Sequence, residues 1–292
     1  MAPALLDTAE RYQLPSEMSS IVPGMKIAEG GYGEVFKGTG GPPNVAVKVF
    51  KRRKDRDTEL QNLLLIKKAK PSHNSIITVI GPLDKHSEYY ILLPLEGASL
   101  KSQLETTFKE SRSGVLSNVS ELFEGISWLH KQVGYHLDIK PGNILRRRTG
   151  GYVLIDFGTL LLKDSSSNSE HNYSEYACRL DDEVGGWSDV WSTGCVTMVI
   201  LVWATQGHDE VENFRDERKS AQKHAESDGP VHISVPYFDF KSDINSAVVQ
   251  KLIELGKEFP KQVPILYQML ERDRRNRLTM FDASLRWSGS LK

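Results

Sequence analysis

Residues 136–143 read HLDIKPGN, a strand-like YVLI follows at 152–155, and DFG follows at 156–158. This stretch decides the fold, because it sets acidic, amide and ammonium side chains at fixed offsets across a predicted loop, strand and loop. Asp138 could accept a proton from an attacking hydroxyl. Lys140 could stabilise the charge on a phosphoryl group that is being transferred.

The same stretch carries a candidate metal site. Asn143 and Asp156 offer hard oxygen ligands, which Mg²⁺ prefers. Asn143 lies five positions after Asp138, which is the spacing of the H-R-D-L-x-x-x-N loop, but Leu137 stands at the position of the arginine. The stretch therefore predicts phosphoryl transfer from a magnesium-bound nucleotide, with one departure at Leu137.

The composition is that of an ordinary globular protein of 292 residues, with 39% hydrophobic and 26% charged residues. A net charge of −1 gives no global field for nucleic acid or an anionic membrane. Two cysteines, Cys178 and Cys195, make no disulfide framework, and the first residues lack the features of a signal peptide. We therefore expect an intracellular, cytoplasmic protein, with the nucleus as an alternative, and no nucleic-acid or membrane partner. The sequence indicates no oligomeric state.

The first third of the chain predicts a small β-rich unit. Glycine- and proline-rich turns separate short runs of β-branched and aromatic residues. One helix, at about 57–69, interrupts the strands because its leucines and isoleucine recur at helical spacing. The predicted strands lie at 26–28, 35–37, 45–50, 76–80 and 89–93.

After Pro94 the pattern becomes helical, which predicts an α+β fold of two lobes. Residues 1–18 are expected to form a flexible arm, and the domain to span 19–290, with an N-terminal lobe at about 19–94 and a C-terminal lobe at about 98–290. The 196–204 run is too short for a bilayer span of ~20 residues and is interpreted as buried helix. Helices are predicted at 118–132, 188–205 with Ser188 as a possible cap, 244–255, 263–270 and 279–285. Polar stretches lie at 163–174, a candidate mobile loop, and at 210–229.

A glycine turn near the start could approach phosphates. Gly30, Gly31 and Gly33 lie between two predicted strands, where backbone N–H groups can meet an anion closely. A plain hairpin would explain the glycines equally well. The case for a phosphate loop grows because VAVK follows at 45–48 and supplies Lys48 on the third strand.

Lys48 would need a carboxylate on the neighbouring helix to hold it in place. Glu59 is the better candidate, because Leu63 and Ile66 follow on the matching helical face. The segment between Lys48 and Glu59 is short, however, and counting back from residues 73–77 would place Leu64 there instead. A solvated surface residue is the alternative interpretation of Glu59.

Together these motifs resemble the eukaryotic protein kinase family over roughly residues 20–290. The resemblance depends on their order and spacing, to which SDVWSTG at 188–194 and Arg277 add two structural motifs. The segment 137–145, with Lys140 two positions after Asp138, resembles that of serine/threonine kinases and not that of tyrosine kinases. The 189–195 segment is also similar to kinase-like proteins of filamentous fungi.

The resemblance implies an ATP- and Mg²⁺-dependent transferase that phosphorylates protein substrates. Asp138 would be the base, Lys140 its electrostatic aid, and Asn143 with Asp156 would hold Mg²⁺. Asp189 would begin the buried helix and hold the backbone of the catalytic loop, while His136 and Phe157 would pack as structural residues. The remaining implied nucleotide contacts are Ala28, Gly30, Gly31, Gly33, Val35, Ala46, Lys48 oriented by Glu59, Leu92, Leu93 and Leu95 of the 93–96 hinge, and Leu145.

Two departures from the family pattern bear on control and substrate docking. Leu137 replaces an arginine that in many kinases meets a phosphorylated activation loop, and an apolar side chain cannot pair with phosphate. The Pro-Glu of the Ala-Pro-Glu motif is missing after Ala177, so Arg277 lacks its expected partner. Arg277 should then turn to solvent or pair with one of Asp181, Asp182 and Glu183.

These departures leave alternatives to an active serine/threonine kinase. A pseudokinase that binds nucleotide or a partner with little transfer is the main one. A small-molecule phosphotransferase of related fold is a further one, and Lys140-Pro141 and Asp189-Val190-Trp191 argue against it.

Overall fold

The computed structural model describes residues 14–30, 33–85, 88–107, 110–163, 175–177, 184–225, 238–240 and 243–292. Within these residues an antiparallel sheet comes first and a larger helical region follows, which confirms the predicted α+β class. Of the predicted arm, residues 14–18 are described, and Leu14 and Met18 pack against the apolar core of the sheet.

The small lobe is a five-stranded antiparallel sheet with the order β1-β2-β3-β5-β4. Helix α1 (Arg53–Lys68) connects β3 to β4 and starts four residues before the predicted bound, with Asp55 in its favourable first turn. The strands are β1 (Val22–Glu29), β2 (Gly33–Thr39), β3 (Val45–Phe50), β4 (Gly81–Lys85) and β5 (Glu88–Pro94).

The strand predicted at 76–80 is wrong. Ile76 makes an isolated bridge to Leu154 of the large lobe, and the N–H of Ile77 donates to the Leu154 carbonyl. The N–H of Ile80 instead donates to Leu92 in the small sheet. Residues 76–80 are mostly apolar because the segment crosses from one lobe to the other and is buried against both. The hydrogen-bonded pairing of β4 with β5 begins only at Gly81.

The large lobe is built on one buried helix, α4 (Gly186–Gln206), against which the other long helices pack. Ser188 lies inside its first turn and accepts a hydrogen bond from the N–H of Gly185, the residue that precedes the helix. Among the described residues α4 alone is long and apolar enough to cross a membrane, but most of it is buried in this lobe. The other elements are α2 (Leu100–Leu104), α3 (Arg112–Gln132), α5 (His208–Ala225), α6 (Ser246–Glu258), α7 (Val263–Met269), α8 (Met280–Ser290), and the short strands β6 (Gly134–Tyr135), β7 (Ile144–Arg146), β8 (Tyr152–Leu154), β9 (Leu161–Leu162), β10 (Asp239–Phe240) and β11 (Asp243–Ile244).

The polar stretch at 210–229 contains most of helix α5, which the sequence analysis did not predict. The buried face of α5 consists of Val211 and Phe214 together with Arg218 and Gln222. Two of these four residues are polar, so the helical period is invisible to an apolar pattern. The predicted mobile loop at 163–174 lies, apart from Lys163, outside the described residues.

Candidate active site

Lys48 joins the two lobes. Its ammonium Nζ lies 2.6 Å from Glu59 Oε2 on α1 and 3.0 Å from Asp156 Oδ1 in the large lobe. The side chains of Lys48 and Glu59 are 10% and 3% exposed, so this ion pair is largely shielded from water. The structure thus brings Glu59 to Lys48, while Leu64 packs in the hydrophobic core.

The charges of this triad are interdependent, because one ammonium serves two carboxylates. Burial raises the pKa of Glu59 to about 7, and the neighbouring charge of Asp156 acts in the same direction. Burial would also raise the pKa of Asp156, but the Lys48 ammonium outweighs it and holds that pKa below its ordinary value. Burial opposes the charge of Lys48, yet the two carboxylates raise its pKa.

The predicted catalytic loop folds around Asp138. Its Oδ2 atom accepts hydrogen bonds from Lys140 Nζ at 2.7 Å and from Asn143 Nδ2 at 2.9 Å. A 3₁₀ turn at Pro141–Asn143 brings the amide back to the carboxylate, and Asn143 Nδ2 also donates to the Asp138 carbonyl. The carboxylate of Asp138 is therefore fixed by two donors from its own loop.

Asn143 directly precedes β7, and Asp156 follows the paired strand β8 by two residues. The N–H of Ile155 donates to the Asn143 carbonyl at 2.9 Å, directly before Asp156. Because Nδ2 of Asn143 is used on Asp138, its amide oxygen is directed elsewhere. Among the described residues no group of three His, Cys, Asp or Glu could hold a metal alone. Two oxygen ligands completed by phosphate oxygens and water are what Mg²⁺ commonly takes, so these residues fit Mg²⁺.

Asp189 supports the predicted catalytic loop from α4. Its carboxylate accepts the backbone N–H groups of His136 at 2.7 Å and Leu137 at 2.8 Å. It also lies 2.8 Å from Nε2 of His130. Leu137 has a φ of 63°, a left-handed conformation that non-glycine residues rarely adopt. The buried carboxylate therefore holds a strained backbone turn immediately before Asp138.

The glycine turn joins β1 and β2. The N–H of Gly30 donates to the Gly33 carbonyl at 2.8 Å, and Ala28 pairs with Val35 across the strands. A Cβ atom on Gly33 would lie 2.0 Å from the Val49 carbonyl oxygen, so close backbone packing alone requires glycine there. Gly31 lies outside the described residues.

The expected adenine contacts lie on β3, β5 and β7. Ala46 pairs with Leu93, and Leu145 is half-buried on β7. Leu92 instead pairs with Val47 and is buried with Val45 and Tyr90 in the apolar core of the sheet. Because side chains alternate along a strand, Leu92 faces away from Ala46 and Leu93, so its expected contact with adenine is wrong. The N–H of Leu95 donates to the Asn44 carbonyl at 2.8 Å. Leu95 therefore uses its hinge donor inside the protein.

Arg277 does not turn to solvent. Its guanidinium donates to the carbonyls of Glu271 at 2.8 Å, Trp187 at 3.0 Å and Arg272 at 3.3 Å, and it lies 5.1 Å from the ring centroid of Trp191. Only 6% of the residue is exposed. The three predicted partners, Asp181, Asp182 and Glu183, lie outside the described residues.

An ion pair that the sequence analysis missed lies near the end of the segment that follows DFG. Glu175 Oε2 lies 3.6 Å from Arg215 and 3.7 Å from Arg218, both on α5. Arg218 is buried between the rings of Phe214 and Phe238, at 4.4 and 4.2 Å from their centroids. The sequence signal that could have revealed this ion pair is the helical spacing of Arg218 from Val211 and Phe214 in an otherwise polar stretch.

Comparison with known proteins agrees with this geometry. A family model described as protein kinase domain matches residues 21–286. A probable serine/threonine-protein kinase of Dictyostelium discoideum is 29% identical over 61% of this chain and 38% of its own length. CTD kinase subunit alpha of Schizosaccharomyces pombe is 26% identical over 65% and 34%, and MAP3K epsilon protein kinase 1 of Arabidopsis thaliana is 28% identical over 64% and 14%. The chain thus spans well under half the length of these relatives, and the printed name of the Dictyostelium relative supports the serine/threonine class. Since the family model covers nearly all of the sequence, this chain belongs to the protein kinase domain family.

Proposed function

We propose that this chain transfers the terminal phosphoryl group of ATP to serine or threonine hydroxyls of protein substrates. The observation that carries the proposal is the meeting of the two lobes at Asp156, which lies 3.0 Å from Lys48 Nζ. On the other side, Asn143 and Lys140 hold the carboxylate of Asp138. A phosphate-binding cation, two metal ligands and a base are thereby collected in one place.

In this proposal each side chain has one task. Lys48, oriented by Glu59, binds the α- and β-phosphates. Asn143 and Asp156 would hold Mg²⁺, which when bound neutralises charge on the phosphate oxygens. Asp138 orients the substrate hydroxyl and takes its proton, and Lys140 stabilises the transferring group.

The choice of a protein hydroxyl as acceptor follows from the family and from Lys140. Its ammonium lies 2.7 Å from Asp138 and its side chain is 37% exposed, so it can reach a phosphoryl group that arrives from solvent. Both the name of the Dictyostelium relative and the position of Lys140 favour serine or threonine.

A second candidate function is a pseudokinase that binds nucleotide or a partner with little transfer. The hinge favours it, because Pro94 has no N–H and the N–H of Leu95 is donated to Asn44. Adenine would therefore meet fewer backbone donors than the family resemblance implies.

Single-turnover transfer from Mg-ATP to a basic generic protein separates these functions. Asp138→Asn should slow transfer by ~10²–10⁴, the usual worth of a general base. Glu258→Gln is the charge-matched control, since Glu258 pairs on α6 with Arg112 and is exposed. Equal rates in the wild type and both variants would sink the kinase proposal. Stabilisation by Mg-ATP without any transfer would support the pseudokinase.

A further inference from the structure

Asp156 has an unusual backbone conformation. Its φ is 67°, in the left-handed region that non-glycine residues avoid. Such a conformation persists only where surrounding contacts impose it. The orientation of the Asp156 carboxylate therefore depends on what fixes the backbone carbonyls of its two neighbours, Ile155 and Phe157.

The preceding carbonyl is fixed by His136. Nδ1 of His136 accepts the N–H of Asp138 at 3.2 Å, which leaves the ring proton on Nε2. Nε2 therefore donates to the Ile155 carbonyl at 2.9 Å. The rings of His136 and Phe157 also pack edge to face at 4.9 Å between centroids, in agreement with the structural role expected for them.

The following carbonyl is fixed by Asn62. Its amide Nδ2 donates to the Phe157 carbonyl at 2.7 Å, and this bond is buried. Asn62 lies on α1 three residues after Glu59, so both side chains project from one face of the helix. Glu59 holds Lys48, and Asn62 holds the segment that carries Asp156. One helix face thereby sets both the phosphate-binding cation and the candidate metal ligand.

We propose that Asn62 is a positioning residue that keeps Asp156 in its metal-facing conformation. An apolar side chain at this place would remove the shorter of the two hydrogen bonds that the Phe157 carbonyl accepts and leave only the 3.3 Å bond from the N–H of Leu160. The left-handed turn at Asp156 would then relax. This hydrogen bond from Asn62 to the Phe157 carbonyl, which we call the latch, forms within the folded chain and needs no phosphate. It is therefore compatible with Leu137, whose side chain cannot pair with a phosphate. The inference deepens the proposed function and depends on it for the role of Asp156.

Asn62→Leu, which is close in size, tests the latch. Hydrogen exchange of the peptide covering residues 152–160 should become at least tenfold faster in the ligand-free protein. In transfer assays the Mg²⁺ concentration for half-maximal rate should rise about tenfold and kcat should fall. The affinity for ATP without Mg²⁺ should stay within about twofold.

Asn118→Leu is the matched control. Asn118 is also 8% exposed and donates a 2.7 Å hydrogen bond, but to the half-buried Glu110 of the large lobe. It should leave both the exchange of residues 152–160 and the Mg²⁺ dependence unchanged. If Asn62→Leu does not fold, Asn62→Ala carries the same expectations.

The two proposals fail in different ways. Unchanged exchange and Mg²⁺ dependence in a folded Asn62 variant would overturn the latch while leaving the kinase proposal intact. A wild type without transfer would overturn the kinase proposal, and the exchange experiment would still decide whether Asn62 holds the turn at Asp156.

Discussion

Nη1 of Arg277 donates a 3.0 Å hydrogen bond to the backbone carbonyl of Trp187, in the first turn of the buried helix α4. Arg277 also reaches two carbonyls of its own loop. A guanidinium has five N–H donors in a fixed fork, so it can bond several carbonyls at once. Arg277, whose expected glutamate partner is missing from the sequence, thus connects the loop before α8 to the start of α4.

Arg277→Lys should lower the free energy of unfolding by about 1–3 kcal/mol, because a lysine cannot serve these carbonyls in the same geometry and buried acceptors lose their donors. Urea unfolding measures this. Arg275→Lys in the same loop is the control, since the Arg275 side chain is 84% exposed and pairs with Asp273. It should change stability by less than about 0.5 kcal/mol. Equal losses in the two variants would contradict the anchoring role.

The ion pair between Glu175 and Arg218 leads to a separate prediction about stability. Arg218→Met removes a buried cation that contacts two aromatic rings and lies near a carboxylate. Breaking one half of such a buried pair costs about 3–5 kcal/mol. Arg215→Met, on the same helix and half-exposed, should cost less than about 1 kcal/mol. Thermal unfolding compares the two variants, and the prediction fails if Arg215→Met is the more damaging.

Glu59 should make stability depend on pH. Burial raises its pKa to about 7 in the folded chain, above the ordinary 4.5. Between these values the folded state binds more protons than the unfolded state, so stability falls as pH rises. Relative to Glu59→Gln, the wild type should lose about 2–3 kcal/mol of unfolding free energy from pH 5 to pH 8. Urea unfolding at both pH values measures this, and a constant difference between the proteins would contradict it.

The sequence predicted what local patterns encode. Lys48, Asp138, Asn143 and Asp156 stand out because their chemistry is written in short motifs, and the 45–50 and 89–93 strands because their residues are strongly β-forming. It could not predict α5 or the crossing at 76–80. The first buries Arg218 and Gln222 on its inner face, and the second is apolar without being a strand. Asn62 was invisible too, because its partner carbonyl lies 95 positions away.

The hinge should make nucleobase selection weak. Leu95 donates its N–H to Asn44, so adenine finds fewer directional donors than the family resemblance implies. Discrimination of bases depends on such hydrogen bonds. We expect Mg-ATP and Mg-GTP to bind within about tenfold of each other, as measured by calorimetry. A preference for ATP above a hundredfold would show that the Leu95–Asn44 bond opens to admit adenine.

Activity should not depend on a phosphate on the segment after DFG. Leu137 cannot pair with an anion, whereas the contacts that hold the site all come from the folded chain, with Asp189 on the Leu137 N–H and Glu59 on Lys48. Phosphatase-treated wild type should therefore keep its transfer rate within about twofold. Leu137→Arg is the matched variant, because its guanidinium could pair with a phosphate on this segment. The transfer rate of this variant should therefore rise when the segment is phosphorylated. Inert dephosphorylated wild type whose activity returns on phosphorylation between residues 165 and 174 would show that another cation does the work of the missing arginine.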